Sequence, residues 1–334
     1  MPNAALDPDA GARFLADLGG LLDGVGLPAA APVGIAFSGG PDSLALLVLA
    51  ASTAAGRVKA LTVDHGLRAD SAEEALAAAA AAAAIGVPHA VVRVAVAPAG
   101  DGLQGEARRA RYAALANWAQ AEGLMAILTA HHADDQAETV LMRLARGAGL
   151  SGLSGIRPAR PLVDTACAPA TMLLRPLLGW RKAELAAIVA RSGFAAALDP
   201  SNSNPRFGRT AARRLLAGTP WLDPVRVAAA ADHLRDADAA LDQLADRLFV
   251  EAVARAGDAV LFTPGDAPHE LRRRTLIRLF SAHFRASPDG PPLVHLMAVL
   301  ARGGTATLAG VRAQGGAVWR FSAAPPHRGA KRSS

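Results

Sequence analysis

Short apolar runs alternate with longer amphipathic segments over the first two thirds of the chain. The apolar runs predict strands over Val33–Phe37, Val58–Val63, Val91–Val96 and Met125–Thr129. The segments that follow them predict helices, around 44–49, 71–85, 106–120 and 134–146. Strands that alternate with helices of this length are joined by right-handed crossovers into a parallel sheet with helices on both faces. The sequence therefore predicts a doubly wound, Rossmann-like α/β domain.

The pattern changes after Gly147, where glycine-punctuated and Pro-rich stretches replace the regular alternation. A candidate domain boundary lies at Thr219-Pro220-Trp221, which divides the chain into 1–218 and 219–334. Beyond it, two amphipathic helices are predicted over 225–255 and 271–284, and a small hairpin over 307–311 and 318–321. We therefore expect a second, smaller and mainly helical C-terminal domain.

Composition excludes several classes of protein. Hydrophobic residues make up 51% of the 334 residues and charged residues 19%, which is typical of a globular chain. One cysteine excludes a disulfide scaffold, a Cys-rich zinc site and a cysteine-held iron–sulfur cluster. No signal-peptide pattern and no membrane-spanning stretch is recognisable, so we expect a cytoplasmic protein without a membrane partner. The net charge of +6, carried almost entirely by arginine, is a weak indication of a polyanionic partner.

A glycine-containing loop, Ser38-Gly39-Gly40-Pro41-Asp42-Ser43, lies where the first predicted strand gives way to a helix. Two glycines let the backbone approach an anion closely, and a helix N-terminus presents unpaired N–H groups to it. Read locally, the same loop is only a turn with Asp42 as a helix cap. It matches neither GxxxxGK[ST] nor GxGxxG. It resembles instead the loop of the N-type ATP pyrophosphatases, or PP-loop ATPases, which cleave ATP between its α and β phosphates.

Five further motifs follow this loop in order along the chain. They are LTVDHGLR at 61–68, GEARRARY at 105–112, TAHHADDQAET at 129–139, LRPLL at 174–178 and DPSN at 199–202. Together with SGGPDS they resemble the tRNA(Ile)-lysidine synthetases over about Val33–Leu216. The resemblance implies a ligase that uses ATP to adenylate the wobble cytidine of tRNA(Ile) with a CAU anticodon. Free L-lysine then attacks the activated base, which gives lysidine with release of AMP and pyrophosphate.

The resemblance also assigns roles to single residues. The ATP-binding set is Ser38, Gly39, Gly40, Pro41, Asp42, Ser43, Asp64 and His65. The catalytic set is Asp42, Arg108, Arg111, His132 and Asp135. Mg²⁺ is expected at Asp42 and Asp134, because a carboxylate beside phosphate is unfavourable unless it faces a cation, either Mg²⁺ or the lysine ammonium.

Several of these residues have a simpler interpretation. Asp134 and Asp135 stand at a helix start, where carboxylates also act as caps. His131 and His132 point in different directions, so at most one is expected to face the ligand, and the family pattern HxDDQ selects His132. Arg108 and Arg111 share a helix face and suit oxyanions; the alternative is an ion pair with Glu106 or Asp101.

Two arginine groups are candidates for contact with tRNA phosphates, and a solvated surface is the alternative for both. The groups are Arg206, Arg209, Arg213 and Arg214, and Arg272, Arg273, Arg274 and Arg278. We expect tRNA contacts from Arg206, Arg209, Arg213 and Arg273. Thr210 follows Arg209 where the family pattern has asparagine, which removes an amide from this segment.

Three other functions fit parts of this pattern. A tRNA thiolase of the same superfamily needs a cysteine pair or a cluster, and the chain has one cysteine outside every motif. A small-molecule amidating ATP pyrophosphatase needs a route for ammonia and has no use for the arginine groups. A non-catalytic nucleotide-binding regulator would have lost Asp42, Asp135 or the loop, and all are present. A homodimer is neither required nor excluded by the sequence.

Overall fold

The computed structural model describes residues 7–66, 71–95, 102–162, 171–196 and 207–325. The chain divides into two compact units, Met1–Leu234 and Arg235–Ser334. This division falls inside one long helix, whereas the boundary expected from the sequence lies before that helix; a functional boundary at 218/219 stays a prediction. No helix among the described residues is long and apolar enough to cross a bilayer.

The first unit contains a six-stranded sheet with the spatial order β3-β2-β1-β4-β6-β5. Its strands are β1 Val33–Ala36, β2 Val58–Asp64, β3 His89–Arg93, β4 Ala126–Leu128, β5 Ala159–Pro161 and β6 Met172–Leu174. All neighbours pair in parallel except β5, which runs antiparallel to β6 at the edge. β1 lies in the middle of the sheet, with β2 on one side of it and β4 on the other. The strand order therefore reverses between β1 and β4, and a crevice opens at the carboxyl ends of these two strands. The predicted α/β fold is confirmed.

Helices cover both faces of this sheet. The helices of this unit are α1 Pro8–Gly24, α2 Pro41–Thr53, α3 Ser71–Ile85, α4 Gly102–Ala121, α5 Ala133–Leu144, α6 Leu150–Leu153, α7 Lys182–Ser192, α8 Phe207–Gly218 and α9 Pro224–Ala252, which continues into the second unit. The apolar helix α2 is buried from Ser43 to Ala50, because α1 and α7 pack over it. On the other face, a Cβ at Gly34 would lie 2.5 Å from the Trp118 ring, so glycine lets α4 pack directly on β1.

The second unit combines helices with an antiparallel sheet in the order β7-β8-β11-β10-β9. The strands are β7 Val253–Ala256, β8 Ala259–Phe262, β9 Thr305–Leu308, β10 Val311–Gln314 and β11 Trp319–Ala323, and the helices α10 His269–Phe284 and α11 Gly290–Ala301. The expected strand at 307–311 is interrupted, because Ala309 and Gly310 adopt positive φ angles of 50° and 74° and form a turn. The predicted hairpin is therefore part of a larger sheet, whose apolar face packs Phe262, Phe321 and Trp319 into the core.

Candidate active site

A cavity of about 480 Å³ lies in the first unit at the carboxyl ends of the parallel strands. Parts of the phosphate loop, the ends of β2 and β4, and helices α4, α5 and α8 line it. The polar residues in its wall are Ser38, Asp42, Ser43, Thr62, Asp64, His65, Ser71, Glu74, Arg111, Tyr112, Thr129, His131, Asp135 and Arg209. The structure thus brings together residues that the sequence separates by more than 160 positions.

The phosphate loop joins β1 to α2 and is held by its serines. Ser43 Oγ lies 3.0 Å from Ser38 Oγ and donates to the Gly40 carbonyl oxygen at 2.9 Å, while the Ser38 amide lies 3.3 Å from Ser43 Oγ. Gly39 has a φ of 79°, which favours glycine. Gly40 is the N-cap of α2, and no side chain caps this helix. Asp42 therefore does not act as the helix cap that a local interpretation allowed, and the helix N–H groups remain directed at the loop.

His132 and two carboxylates form a compact group beside this loop. His132 is the N-cap of α5: its amide donates to Asp135 Oδ2 at 3.1 Å, and the Asp135 amide lies 3.4 Å from His132 Nδ1. Nε2 of His132 lies 3.6 Å from Asp42 Oδ2 and 3.5 Å from Asp135 Oδ2. Burial alone would lower the pKa of His132, but the hydrogen bond to Asp42 and the nearby carboxylate charges raise it. Burial opposes ionisation of Asp42 as well, and its contact with His132 nevertheless lowers its pKa.

Asp134 is a third carboxylate at His132, since its Oδ2 lies 3.6 Å from His132 Nδ1, but it does not line the cavity. Its Oδ2 accepts a hydrogen bond from the Lys182 amide at 2.8 Å and lies 3.7 Å from Arg181 Nε, so it caps the start of α7. Among the described residues, no group of three or more His, Cys, Asp or Glu side chains could hold a metal ion. The expected pairing of Asp42 with Asp134 around Mg²⁺ stays a prediction, and the capping contact of Asp134 weighs against it.

His131, rather than the selected His132, lines the cavity. Its Nδ1 lies 3.1 Å from Thr129 Oγ1. Burial, followed by the charges of Arg175, Arg108 and other arginines, lowers the pKa of His131 to about 3, so the ring is neutral. His132 does not line the cavity itself, but two of the carboxylates that it contacts, Asp42 and Asp135, do.

The end of β2 supplies the two remaining residues expected to bind ATP. Asp64 Oδ1 accepts a hydrogen bond from the Gly66 amide at 2.8 Å, which lowers the pKa of Asp64. Burial lowers the pKa of His65, and its Nδ1 has no hydrogen-bond partner within the described residues. Both side chains line the cavity together with Ser38, Asp42 and Ser43. The structure therefore gathers five side chains of the expected ATP-binding set around one space.

Two arginines, Arg111 and Arg209, line the cavity, and we call this part of its surface the arginine wall. Arg108 and Arg111 lie over the ring of Tyr112, with Cζ to centroid distances of 4.9 Å and 5.6 Å. Of the two acidic partners considered for Arg108 and Arg111, Glu106 pairs with Arg109 instead, and Asp101 lies outside the described residues. Arg209 also lines the cavity, whereas Arg206 and the DPSN motif at 199–202 lie outside the described residues.

The sequence motifs assign no role to Glu138. Its side chain is nevertheless buried, at 5% exposure, which is unusual for a glutamate and indicates a partner. Its Oε1 accepts from Arg213 Nε at 2.6 Å, which raises the pKa of Arg213 and ties α8 to α5. The spacing could have indicated this residue, since Glu138 follows Asp135 by three positions and shares its helix face. Arg213, expected to contact tRNA, thus already has a carboxylate partner.

Arg273, in the second unit, also has acidic partners. Its guanidinium contacts Glu270 at 2.8 Å and 2.9 Å and Asp289 at 2.7 Å. Its neighbours Arg274 and Arg278 pair with aspartates that α9 presents at intervals of four residues, Asp238, Asp242 and Asp246. The sequence shows an acid-free run, but the fold surrounds that run with carboxylates from elsewhere in the unit. Carboxylates therefore already neutralise much of the positive charge of Arg273, Arg274 and Arg278, and the tRNA contact expected from Arg273 stays a prediction.

Residues 21–219 match the family described as the PP-loop domain. The tRNA(Ile)-lysidine synthase of Novosphingobium aromaticivorans is 48% identical over 89% of this chain and 90% of its own length. That of Zymomonas mobilis is 42% identical over 90% and 91%, respectively. Among solved structures, the U34-tRNA thiolase NcsA from Methanococcus maripaludis has a TM-score of 0.54 at 16% identity, over 68% of this chain and 80% of its own. That likeness concerns the fold alone.

Proposed function

The chain belongs to the tRNA(Ile)-lysidine synthase family of PP-loop proteins, and we propose that it uses ATP to join free L-lysine to the wobble cytidine of tRNA(Ile) with a CAU anticodon. The observation that carries this proposal is one cavity with a phosphate loop, a carboxylate group and an arginine wall. These three features suit a triphosphate, an ammonium and an RNA substrate. Such a reaction belongs to the cytoplasm, where all three substrates are available.

The phosphate loop supplies the ATP site. Backbone N–H groups at the start of α2 and the hydroxyls of Ser38 and Ser43 would donate to phosphate oxygens, because anions bind favourably at helix N-termini. Asp42 lies in the first turn of the same helix and requires a cationic partner once phosphate is present. Asp42 and Asp135, which both line the cavity, have the oxygen ligands that Mg²⁺ prefers, and Mg²⁺ bound there would offset phosphate charge.

The carboxylate side suits the lysine substrate. Its ε-ammonium must lose a proton before the nitrogen can attack C2 of the adenylated cytidine and displace AMP. Asp42 and Asp135 attract the ammonium, and His132, which contacts both carboxylates, can hold a proton at Nε2 beside them. Capturing the amine and removing its proton are therefore assigned to the same group of residues.

Docking of the tRNA is assigned to arginines at the cavity mouth and to the second unit. Arg209 is exposed and lines the cavity, and Arg213 lies four positions further along α8. The second unit continues past Asp289 without any acidic residue, which favours contact with RNA backbone. We include Arg206 on its sequence position alone.

The test is a reconstituted reaction with ATP, labelled L-lysine and a tRNA(Ile) transcript with a CAU anticodon. We expect lysine in the tRNA in equal amount to AMP and pyrophosphate, and no lysine in a transcript whose wobble cytidine is changed to guanosine. Exchange of labelled pyrophosphate into ATP should require tRNA, since tRNA is the group adenylated. Stoichiometric ADP and orthophosphate, or exchange supported by lysine alone, would contradict the proposal.

A further inference from the structure

Tyr112 is the only tyrosine of the chain and lines the cavity beside Arg111. Its ring centroid lies 4.9 Å from Arg108 Cζ and 4.8 Å from Arg160 Cζ, with Arg111 at 5.6 Å. All three distances are within the range of about 6 Å over which a cation is attracted to an aromatic face. We call Arg108, Arg111, Arg160 and the buried Arg175 the arginine cluster.

The described partners of the arginine cluster are Tyr112 and backbone carbonyls. Within the described part of the chain, its guanidinium groups form no ion pair with a carboxylate. Arg160 donates instead to the backbone carbonyls of Pro161 and Leu162, and Arg175 to that of Arg157. Burial lowers the pKa of Arg111 and of Arg175, and contact with Tyr112 acts against that shift in both. Tyr112 is thus the partner that the four guanidinium groups share.

Four like charges at this separation repel one another, so a partner is needed to keep them together. A carboxylate would do so, but it would also cancel the positive charge. A phenol attracts cations through the negative face of its ring and accepts hydrogen bonds at its oxygen, and it leaves the net charge unchanged. Tyr112 itself is 8% exposed, lines the cavity and packs with Leu115 and Trp118, so its position is fixed by the core.

We propose that Tyr112 is a positioning residue, which holds the arginine cluster together at the cavity so that it binds a phosphoryl oxyanion of the substrates. This inference rests on the proposed function, which supplies two phosphate-bearing substrates, ATP and tRNA. Both present the same oxyanion to guanidinium groups, which bind it in bidentate fashion. Tyr112 acts through the arginines and need not touch the substrate.

The single tyrosine allows a direct spectroscopic test on the intact protein. Burial would raise the pKa of Tyr112, but Arg108 and Arg111 lower it below its ordinary value. A bound oxyanion offsets those positive charges, so its pKa should rise when ligand saturates the site, as followed by ultraviolet difference absorbance. A rise with inorganic pyrophosphate assigns the cluster to the nucleotide, and a rise with tRNA alone assigns it to the RNA backbone. No rise with either ligand at saturation overturns the proposal.

Substitutions separate positioning from simple packing. Tyr112→Phe keeps the ring and its place in the core, and should raise the KM for the phosphate-bearing substrate about 3- to 10-fold through loss of the hydroxyl contacts. Tyr112→Leu should raise it further, because the ring face is also lost. The KM for lysine should stay unchanged in both variants, because the lysine ammonium is assigned to Asp42 and Asp135 and not to the arginine cluster. Arg109→Ala, on the same helix but paired with Glu106, is the matched control and should behave as wild type.

The results distinguish this inference from the function on which it rests. A Tyr112→Phe variant with wild-type KM values, or with equal rises in the KM for all three substrates, would overturn the positioning role while lysidine formation by the wild type continues. Failure of the wild type to form lysidine would contradict the proposed function. The titration of Tyr112 with pyrophosphate would still be informative in that case, since it needs no turnover.

Discussion

Nε2 of His132 lies 3.6 Å from Oδ2 of Asp42, so one contact joins the N-cap of α5 to the first turn of α2. The two helices follow β4 and β1, which are neighbours in the sheet, and their N-termini therefore meet at the same edge. The contact raises the pKa of His132 and lowers that of Asp42, against the effect of burial on each. The phosphate loop and the carboxylate group are consequently one electrostatic unit.

Replacing either cavity carboxylate by its amide should impair turnover far more than stability. Asp42→Asn and Asp135→Asn remove a charge that the lysine ammonium requires, and loss of such a group commonly lowers kcat by about 10²–10⁴-fold. Stability should change little, because Asp42 caps no helix and an asparagine at 135 still accepts the hydrogen bond of the His132 amide. Steady-state kinetics and thermal unfolding measure the two effects separately.

Asp134→Asn is the matched control for these variants, since Asp134 stands in the same helix start but accepts from the Lys182 amide. Asparagine preserves that acceptor, so kcat should remain within a few-fold of wild type. If the Asp134 variant lost activity and the other two retained it, the assignment of the reactive carboxylates would be reversed and a metal site at Asp134 would be favoured.

The pH dependence of kcat/KM should follow His132. Carboxylates hold its pKa above the ordinary value of 6.5, and the neutral ring is the form that can accept a proton, so activity should rise as pH increases through this raised value. Removing the Asp42 charge destabilises the imidazolium, and the midpoint for Asp42→Asn should move to lower pH. His131 does not titrate in this range, because its pKa is about 3.

Stability gives an independent measurement of the same group. Because the folded pKa of His132 is raised, its contribution to the free energy of unfolding is fully present below about 6.5 and is lost as pH rises through the folded value. His132→Gln should remove this component from a pH series of unfolding curves. If His132→Gln left the pH dependence of unfolding unchanged, and Asp42→Asn left the pH profile of activity unchanged, the contact between His132 and Asp42 would have no electrostatic role.

Local sequence pattern predicted the strands and helices that build the site, because each is a strong apolar run beside a loop with distinctive residues. It could not reveal contacts between distant segments. Asp134 caps α7 from 48 positions away, and nothing near Asp134 indicates this. Which of His131 and His132 lines the cavity depends on the path of the chain after β4. The spacing of the residues in the sequence does not determine this path. The second unit was predicted less well, since its short strands lack strong alternation and the turn at Ala309 requires an unusual backbone angle.

Salt dependence of tRNA binding should distinguish free arginines from paired ones. Each phosphate contact contributes roughly 0.7–0.9 to the slope of log affinity against log salt. Arg209→Ala should flatten the slope by about that amount, since its exposed side chain lines the cavity. Arg273→Ala should leave the slope nearly unchanged, because Glu270 and Asp289 already neutralise that charge. Binding titrations at several salt concentrations test both; a flatter slope for Arg273→Ala would support the docking role expected from the sequence.

The second unit should lose stability in acid through the carboxylates that surround its arginines. Hydrogen bonding to Arg273, partly opposed by burial, lowers the pKa of Glu270 from 4.5 to about 2. A depressed folded pKa contributes stability that is present above about 4.5 and is lost as pH falls towards 2. Glu270→Gln should reduce this acid dependence. Hydrogen exchange along α10 in the full chain, measured over this pH range, reports the loss locally.

Removing the charge of Arg274 should lower the free energy of unfolding of this unit strongly. Its side chain is 4% exposed and lies 2.5 Å from Asp238, itself 8% exposed, so Arg274→Met leaves a buried carboxylate without its closest cation. Breaking a buried pair in this way costs about 3–5 kcal/mol. Arg278→Met is the matched control, because its partners Asp242 and Asp246 are 42% and 65% exposed and an exposed pair contributes about 1 kcal/mol or less. Urea unfolding that shows equal losses for the two variants would mean that solvent reaches Arg274 and Arg278 alike, and that burial does not set the strength of this network.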